Sequence, residues 1–410
     1  MDLLHDRCAG LDVHKETVVA CVRVVTDGKV KREVRTFGTT TTTLLALAAW
    51  LRSEGVEHAV MESTGVLWKP VWHVLEGEGV ELVLANARAV RNVPGRKSDM
   101  NDAMWLADLL AHGLVSASLV PGEDVQQLRD LTRTRKQLTH DAARHVNRLH
   151  KILEDANVKL SLVLSDILGV SGRAMLDAII AGETDPTTLA KKATSGVKAK
   201  REEIVEALRG KVTAHHRFLL KLHLEQYDAI QAAIGTIDKQ LEEVARPFST
   251  AIERLEEMPG ISRTAALSIM AEAGACIDRF SDPSRLVSFA GVCPRLDESA
   301  GQKRSTRTRH AGVWLKSTIV TCAWAAARTK SSYYRAQFLR LKARRGARKA
   351  VIAVANSMLR AIFHILQRGT SYQDLGKDFF DRRDREGLTK SLCKRLTDLG
   401  YSVELKPVAA

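Results

Sequence analysis

The chain has 410 residues and 45% of them are hydrophobic, a composition that excludes a globally disordered protein. At roughly 150 residues per domain, this length predicts two or three domains. Lys and Arg number 62 against 48 Asp and Glu, and the net charge of +14 indicates a polyanionic partner, either nucleic acid or an anionic membrane.

A membrane protein is disfavoured, because we expect no apolar run of the roughly 18 residues that a spanning helix needs. The polar N-terminus with its early Asp2 does not predict a signal peptide. The six cysteines are scattered without a C-x-x-C pair, so neither a zinc site nor a disulfide framework is predicted. A cytoplasmic protein is therefore expected.

Strands and helices alternate in the first part of the chain. Runs of β-branched residues and the Asp27-Gly28 turn signal predict strands at residues 8–14, 17–25, 31–37, 58–63 and 80–86. Helices are predicted at 44–51, 66–75 and 99–112, with threonines 39–43 as cap candidates for the first. The order β-β-β-α-β-α-β-α is that of the RNase H fold. A Rossmann domain is disfavoured, since the sequence has no G-x-G-x-x-G or Walker A motif.

The middle of the chain is predicted to be helical. Apolar residues recur at helical spacing over residues 126–153 and at heptad spacing over 220–244. A stretch of lower regularity, from about 160 to 215, separates these two helices. The pattern leaves two arrangements open: a helical hairpin within one chain, or a coiled coil between two chains.

The last part of the chain has a helical pattern and a long stretch that contains basic residues but no acidic ones. Pro259-Gly260-Ile261 resembles the turn of a helix-hairpin-helix motif, whose following helix can present its N-terminal amides to a phosphate. Helices are predicted at 313–327 and 348–366, and the tail after Gly369 is expected to be peripheral.

No carboxylate occurs between Glu298 and Asp374, which favours a phosphate-binding surface over an ordinary solvated face. The predicted nucleic-acid-binding residues are Lys303, Arg304, Arg307, Arg309, Lys316, Arg344, Arg345, Arg348 and Lys349.

Four acids occur where a nuclease of the RNase H fold needs them. Asp12 ends the first strand, Glu62 ends the fourth, and Asp99 and Asp102 begin the last helix, where a spacing of three puts them on one face. Clustered carboxylates repel unless cations neutralise them, so the pattern predicts two Mg²⁺ ions roughly 3.5–4 Å apart acting on a phosphodiester. The alternative is that Asp99 caps a helix and Asp12 is a turn acid. Asp108 is a less favoured fifth member.

Ser299 lies in a Ser-Ala-Gly turn beside a dense basic run. A serine in this setting can attack a phosphodiester, with nearby cations stabilising the transition state, although most such serines are plain loop residues.

Several motifs together resemble one known family. They are GLDVHK (10–15), MESTG (61–65) and RKSDMNDAMWLADLL (96–110), followed by MPGISRTAA (258–266) and RFSDPSRLVSFAGVCPR (279–295). In this order they resemble the DEDD transposases of insertion sequences, the IS110 family, kin of the Piv DNA invertases. The resemblance covers nearly the whole chain.

The resemblance implies a multidomain α/β plus α protein. Its parts are a RuvC-like domain at 1–115, a coiled-coil linker or dimerisation region at 116–250, a mostly helical transposase domain at 251–370 and a tail at 371–410. It also implies that Asp12, Glu62, Asp99 and Asp102 hold Mg²⁺ and that Ser299 is the nucleophile. Because the family pattern is Ser-Ser-Gly or Ser-Gly, the displaced glycine makes Ser305 the second choice. A structured guide RNA encoded by the element is a further implied partner.

The sequence thus predicts a nucleoid-associated bacterial transposase that acts on DNA as a dimer or tetramer. Three alternatives remain. One is a metal-only nuclease of the same fold, such as a Holliday-junction resolvase or a DNA invertase. The others are a non-enzymatic helix-hairpin-helix binder and a sugar-kinase-like ATPase, which lacks the later phosphate motifs.

Overall fold

The computed structural model describes residues 3–63, 65–87, 90, 101–115, 117–118, 120–294, 297–299, 301–305, 307–308 and 312–405. The chain divides into two units, Met1–Pro121 and Gly122–Ala410. The four segments predicted from sequence remain a prediction.

The first unit is built on a five-stranded sheet with the order β3-β2-β1-β4-β5. Its first three strands are antiparallel, while β4 and β5 run parallel to β1. This mixed α/β arrangement was predicted and is compatible with an RNase H-like domain. The strands are β1 Arg7–Val13, β2 Thr17–Thr26, β3 Lys29–Gly38, β4 His58–Glu62 and β5 Glu81–Ala85.

Alternation along the strands gives this sheet two covered faces. Leu11 and Met61 point into one core, which is closed by the helices α1 (Thr41–Ser53) and α2 (Trp68–Leu75). Cys8 and Val60 point the other way, towards helix α3 (Asp102–Ala111). Because α3 packs on that face, its position affects what lies at the strand ends there.

Two predicted helix starts can be compared with the structure. Helix α1 begins after Thr40, one of the predicted cap threonines, although the Thr40 hydroxyl bonds to that of Thr43 rather than to a backbone N–H. Helix α3 begins at Asp102, because Asn101 is extended and its side chain accepts a hydrogen bond from the Met104 N–H at 2.8 Å. Asp99 lies outside the described residues, so the expectation that it shares a helical face with Asp102 stays a prediction.

The second unit begins with two long helices, α4 (Glu123–Asp155) and α9 (Ala214–Val244), that pack against each other. Arg135 and Asp238 join them by two hydrogen bonds, of 2.5 and 3.1 Å. The pair within one chain is thus formed, whereas a coiled coil between chains stays a prediction.

The stretch between them, expected to be irregular, contains four short helices that share a hydrophobic core with the long pair. Three of them have seven residues or fewer, too few to show a helical period in the sequence. They are α5 Leu160–Val163, α6 Val170–Ile180, α7 Pro186–Ala190 and α8 Arg201–Ala207.

The rest of the second unit is a helical bundle around one apolar core. Its elements are α10 Ser249–Glu256, α11 Arg263–Glu272, α12 Pro283–Phe289, β6 Asp297–Ser299, β7 Gln302–Ser305, α13 Val313–Ala326, α14 Tyr333–Arg345, α15 Ala347–Arg368, α16 Phe379–Arg383 and α17 Arg385–Asp398. The α10–α11 turn packs tightly on α13, because a Cβ on Gly260 would lie 2.5 Å from the Cys322 carbonyl oxygen.

Among the described residues, α15 alone has the length and composition of a membrane span. This finding departs from the expectation that no such stretch exists. Nine of its residues, from Ala350 to Ile365, are buried in the core of the bundle, as in the central helix of a water-soluble domain.

Candidate functional site

Two of the predicted acids end adjacent parallel strands. Leu11 of β1 pairs with Met61 of β4, so Asp12 and Glu62 follow side by side at the carboxyl ends of the two strands. Because Leu11 and Met61 point into the core under α1 and α2, alternation places both acids on the opposite face. That is the face covered by α3.

The third acid arrives on α3. Asp102 is the first residue of this helix, which crosses β1 at Gly10. A Cβ on Gly10 would lie 2.1 Å from the Ala103 carbonyl oxygen and 2.5 Å from the Ala107 nitrogen. Only a glycine allows helix and strand to approach so closely. Gly10 therefore brings the start of α3 to the end of β1 that carries Asp12.

The charges at this end of the sheet interact. The pKa of Asp12 is raised above its ordinary value, first by burial and further by the negative charges of Asp102 and Glu62. His14 opposes the shift, with its Nε2 atom 3.1 Å from the Asp12 carboxylate. The structure thus brings together three of the four predicted acids, and Asp12 senses the charge of the other two.

Asp108 has a different task from the other acids. Its carboxylate accepts hydrogen bonds from Arg23 Nε at 3.0 Å and from Arg32 Nη2 at 2.9 and 3.0 Å. Only 4% of the Arg23 side chain is exposed, so this pair is an almost buried link between α3 and the sheet. Asp108 holds the helix in place and is not a fifth site acid.

The residue types at this end, three carboxylates, are those that a hard divalent cation prefers as ligands. Mg²⁺ prefers carboxylate oxygens, and the half-buried Asp12 beside two further carboxylates is a place where a cation relieves repulsion. In the part of the chain that the structure describes, no three His, Cys, Asp or Glu side chains are arranged to hold a metal ion. Asp99, the fourth predicted acid, lies outside the described residues.

Sequence reasoning missed the groups that support these acids. His14 stands two residues after Asp12 in the same motif, and that proximity was an available signal. Arg23 interrupts the apolar run of β2, and a buried arginine needs a carboxylate partner. The partner's identity, Asp108, was not readable from the sequence because 85 residues separate the two.

The predicted nucleophile lies in the second unit, at the end of a short hairpin. Ser299 is the last residue of β6 and pairs with Gln302 of β7, and Gly301 adopts φ 76° in the turn between them. A left-handed residue is what a two-residue hairpin turn requires. In this chain the glycine lies one place later than in the family pattern. That glycine, Gly301, is the residue that adopts the left-handed conformation in the turn.

The second-choice serine has a local role. Ser305, the last residue of β7, accepts a hydrogen bond from the Arg307 backbone N–H at 3.2 Å. This contact shapes the chain after the hairpin. The Ser299 side chain lies outside the described part of the structure.

The predicted nucleic-acid-binding cations fall into two groups. Lys303, Arg304, Arg307 and Lys316 lie in or after the hairpin, where Lys316 Nζ donates to the Thr308 hydroxyl at 2.8 Å. Arg309 lies outside the described residues. The second group forms the α14–α15 corner: Arg344, Arg345, Arg348 and Lys349.

All four side chains of the α14–α15 corner are exposed, and none forms an ion pair within the described ranges. Four unpaired cations around Gly346 repel one another. A polyanion would relieve that repulsion.

Comparison with known families agrees with the order of these elements. The DEDD transposase model of IS110 elements matches residues 9–158, which include Asp12, Glu62, Asp99 and Asp102. The model of the IS116/IS110/IS902 transposase family matches residues 252–339, which include Ser299. Together the two matches cover more than half of the chain. No curated protein matches the sequence.

Proposed function

We propose that this chain, which its two family matches support as an insertion-sequence transposase of the IS110 family, cleaves and rejoins DNA through Ser299 with the help of a magnesium site. The observation that carries the proposal is the meeting of Asp12, Glu62 and Asp102 at one end of the sheet. Asp99 completes the ligand set.

Each residue has a defined part in the chemistry. The Ser299 hydroxyl gives up its proton to solvent and its oxygen bonds to phosphorus, while the bond from phosphorus to a deoxyribose oxygen breaks and that oxygen takes up a proton from solvent. The released deoxyribose hydroxyl, or one from another strand, then gives up its proton and bonds to phosphorus, while the serine oxygen leaves and regains a proton. Mg²⁺ held by Asp12, Glu62, Asp99 and Asp102 would supply charge stabilisation to the phosphate oxygens.

The basic residues hold the substrate without choosing its sequence. Lys303, Arg304 and Arg307, together with the α14–α15 corner, provide positive charge for phosphate backbones. Target choice by base pairing to a structured RNA of the element needs only such contacts from the protein. Two DNA ends must be held together, so we propose a dimer or tetramer in the bacterial cytoplasm, associated with the nucleoid.

A recombination assay tests this function. A plasmid that carries the element ends and the adjacent RNA-coding segment is incubated with the protein and Mg²⁺, and junction products are quantified. We expect products with the unsubstituted chain and none with Asp12→Asn or Ser299→Ala. The matched variant Ser305→Ala should recombine normally. Recombination that persists in Asp12→Asn would overturn the proposed function.

A metal-only nuclease is the second candidate. Asp12, Glu62 and Asp102 all belong to the first unit, so hydrolysis by a metal-activated water needs no residue of the second. In that case Ser299→Ala cuts as well as the unsubstituted chain, and no junction product forms.

A further inference from the structure

A lysine distant in sequence from the carboxylate-free block is bound to two hydroxyls that lie within that block. Lys136 projects from α4 towards α13, and its ammonium donates to the Ser317 hydroxyl at 2.5 Å and the Thr318 hydroxyl at 3.2 Å. A lysine ammonium carries three N–H donors. Two are directed at these hydroxyls, and one remains for another acceptor.

This lysine has no counter-ion of its own. The nearest acid that acts on it is Glu272 on α11, but the Glu272 carboxylate takes both hydrogen bonds of Arg133, at 2.7 and 2.9 Å. No carboxylate lies within ion-pair distance of the Lys136 ammonium among the described residues. Burial lowers the pKa of Lys136, which expresses the cost of holding the charge without a partner.

The surroundings of Lys136 suit a phosphate and the sugar attached to it. The Trp314 ring lies 5.6 Å from the Arg133 guanidinium and 6.0 Å from the Lys136 ammonium, so both cations make cation–π contacts with the same indole. Ser317 is exposed, and its hydroxyl turns inwards to the Val313 carbonyl at 2.9 Å. A hydroxyl of this kind can rotate to donate to an incoming oxygen.

We propose that Lys136, the Ser317 and Thr318 hydroxyls and the Trp314 indole form a subsite for one phosphodiester of a nucleic-acid backbone. The subsite rests on the proposed function, because a protein with that function binds nucleic acid, and nucleic acid is a polyanion that can occupy the subsite. It adds a contact from α4, about 170 residues before the carboxylate-free block. An incoming phosphate oxygen takes the third N–H of Lys136 and supplies the missing negative charge.

Salt dependence of binding tests the subsite. Affinities of the full-length protein for a labelled duplex DNA and for a single-stranded RNA of equal length are measured over a series of salt concentrations. Each phosphate contact contributes about 0.9 to the slope of log affinity against log salt for duplex DNA, and about 0.7 for a single strand. We expect Lys136→Gln to lower the slope by about one contact for the nucleic acid that occupies the subsite. At 0.1 M salt its affinity should fall on the order of eightfold.

Matched variants separate binding from structure. Lys151→Gln removes an exposed lysine from the same helix and should leave the slope unchanged, while Lys136→Arg should retain it. Ser317→Ala keeps the charge and should weaken binding less than Lys136→Gln. A lower melting temperature of Lys136→Gln with an unchanged slope would show that Lys136 only clamps α4 to α13, and would overturn the subsite.

Three other outcomes also count against it. If inorganic phosphate raises the melting temperature of the unsubstituted chain but not of Lys136→Gln, while both nucleic-acid slopes stay unchanged, the site takes free phosphate and the proposal is overturned. If the unsubstituted chain shows no salt-dependent binding at all, the proposed function falls and the subsite with it. A normal slope in the unsubstituted chain that Lys136→Gln preserves removes the subsite alone.

Discussion

The two candidate parts of the chemistry are built in different ways. The carboxylates Asp12, Glu62 and Asp102 stand on strands and a helix whose positions are fixed by close packing at Gly10 and by an almost buried ion pair at Asp108. Ser299 stands at the end of a strand in a two-stranded hairpin, at the start of the carboxylate-free stretch of the sequence. Side chains that converge on one point are held most precisely by strands and helices, and residues beside a turn are held less precisely.

This contrast has a consequence for substitutions. In the first unit, a change some distance from the acids should still alter chemistry, because it moves the frame. In the second, removing single cations should lower affinity in small steps, because the contacts add along a backbone.

Asp12→Asn should have the largest effect. It removes one carboxylate charge from the metal site, and the rate of DNA cleavage should fall at least about a hundredfold, the scale of losing one electrostatic contributor in an active site. Rates are measured on labelled element ends with Mg²⁺. Asp27→Asn, a charge change in the β2–β3 turn of the same unit, is the control and should cut normally. Equal rates for the two variants would contradict the site.

Asp108→Ala should be the most destabilising change. It leaves Arg23 buried without its carboxylate, and breaking such a pair costs about 3–5 kcal/mol of unfolding free energy. Denaturant unfolding monitored on the first unit measures this loss. The exposed pair of Arg35 with Glu33 gives the comparison, since Glu33→Gln should cost at most about 1 kcal/mol. Similar losses for both variants would mean that Asp108 does not fasten the helix.

Gly10→Ala should lose stability and activity together. The added methyl overlaps the backbone of α3, which must shift, and such overpacking costs about 1–3 kcal/mol. Because the shift moves Asp102 away from Asp12, cleavage should fall more than the fraction of unfolded protein explains. Gly122→Ala, where nothing lies within 4 Å of the added carbon, is the control. A variant with normal cleavage would show that the helix position does not set the site.

Magnesium should change the sign of the Asp12→Asn effect on stability. Without metal, the substitution removes a half-buried charge that Asp102 and Glu62 repel, so the melting temperature should rise by about 2 °C. Adding Mg²⁺ should stabilise the unsubstituted chain by mass action and leave the variant unchanged. Thermal unfolding with and without Mg²⁺ measures both. An equal Mg²⁺ response in the two proteins would place the metal elsewhere.

Gly235→Ala should have the smallest effect and the opposite direction. Gly235 lies in the exposed interior of α9 with nothing within 4 Å of an added methyl, so alanine should stabilise the second unit by about 0.5–1 kcal/mol. Thermal unfolding at two protein concentrations measures this gain. A concentration-dependent loss would show that a second chain packs on this face of the helix.

The strands of the first unit and the two long helices of the second could be predicted, because the periodicity of their apolar residues is visible in the sequence. The order of β1 to β5 and the two long helices followed from alternation and heptad spacing. The four helices between residues 160 and 207 were not predicted, and three of them have seven residues or fewer, too few to show a helical period. All four pack into a core that they share with the long helices. Asp12 and Glu62 were predictable as strand ends, whereas the start of α3 at Asp102 depended on the cap at Asn101.

Contacts between distant residues escaped the sequence altogether. The tasks of Asp108 and Lys136 depend on partners 85 and 181 residues away, on another element in each case. A charged residue within an apolar pattern indicates that its side chain needs a polar or charged partner. The pattern does not indicate which residue provides that partner.

Covalent trapping tests the central claim most directly. Protein, Mg²⁺, labelled element-junction DNA and the RNA transcribed from the element's flank are incubated, denatured and examined for a protein–DNA adduct. The proposed chemistry predicts an adduct with the unsubstituted chain that is lost in both Ser299→Ala and Asp12→Asn. Cleavage without any adduct, unchanged in Ser299→Ala, would contradict it and leave a metal-only nuclease.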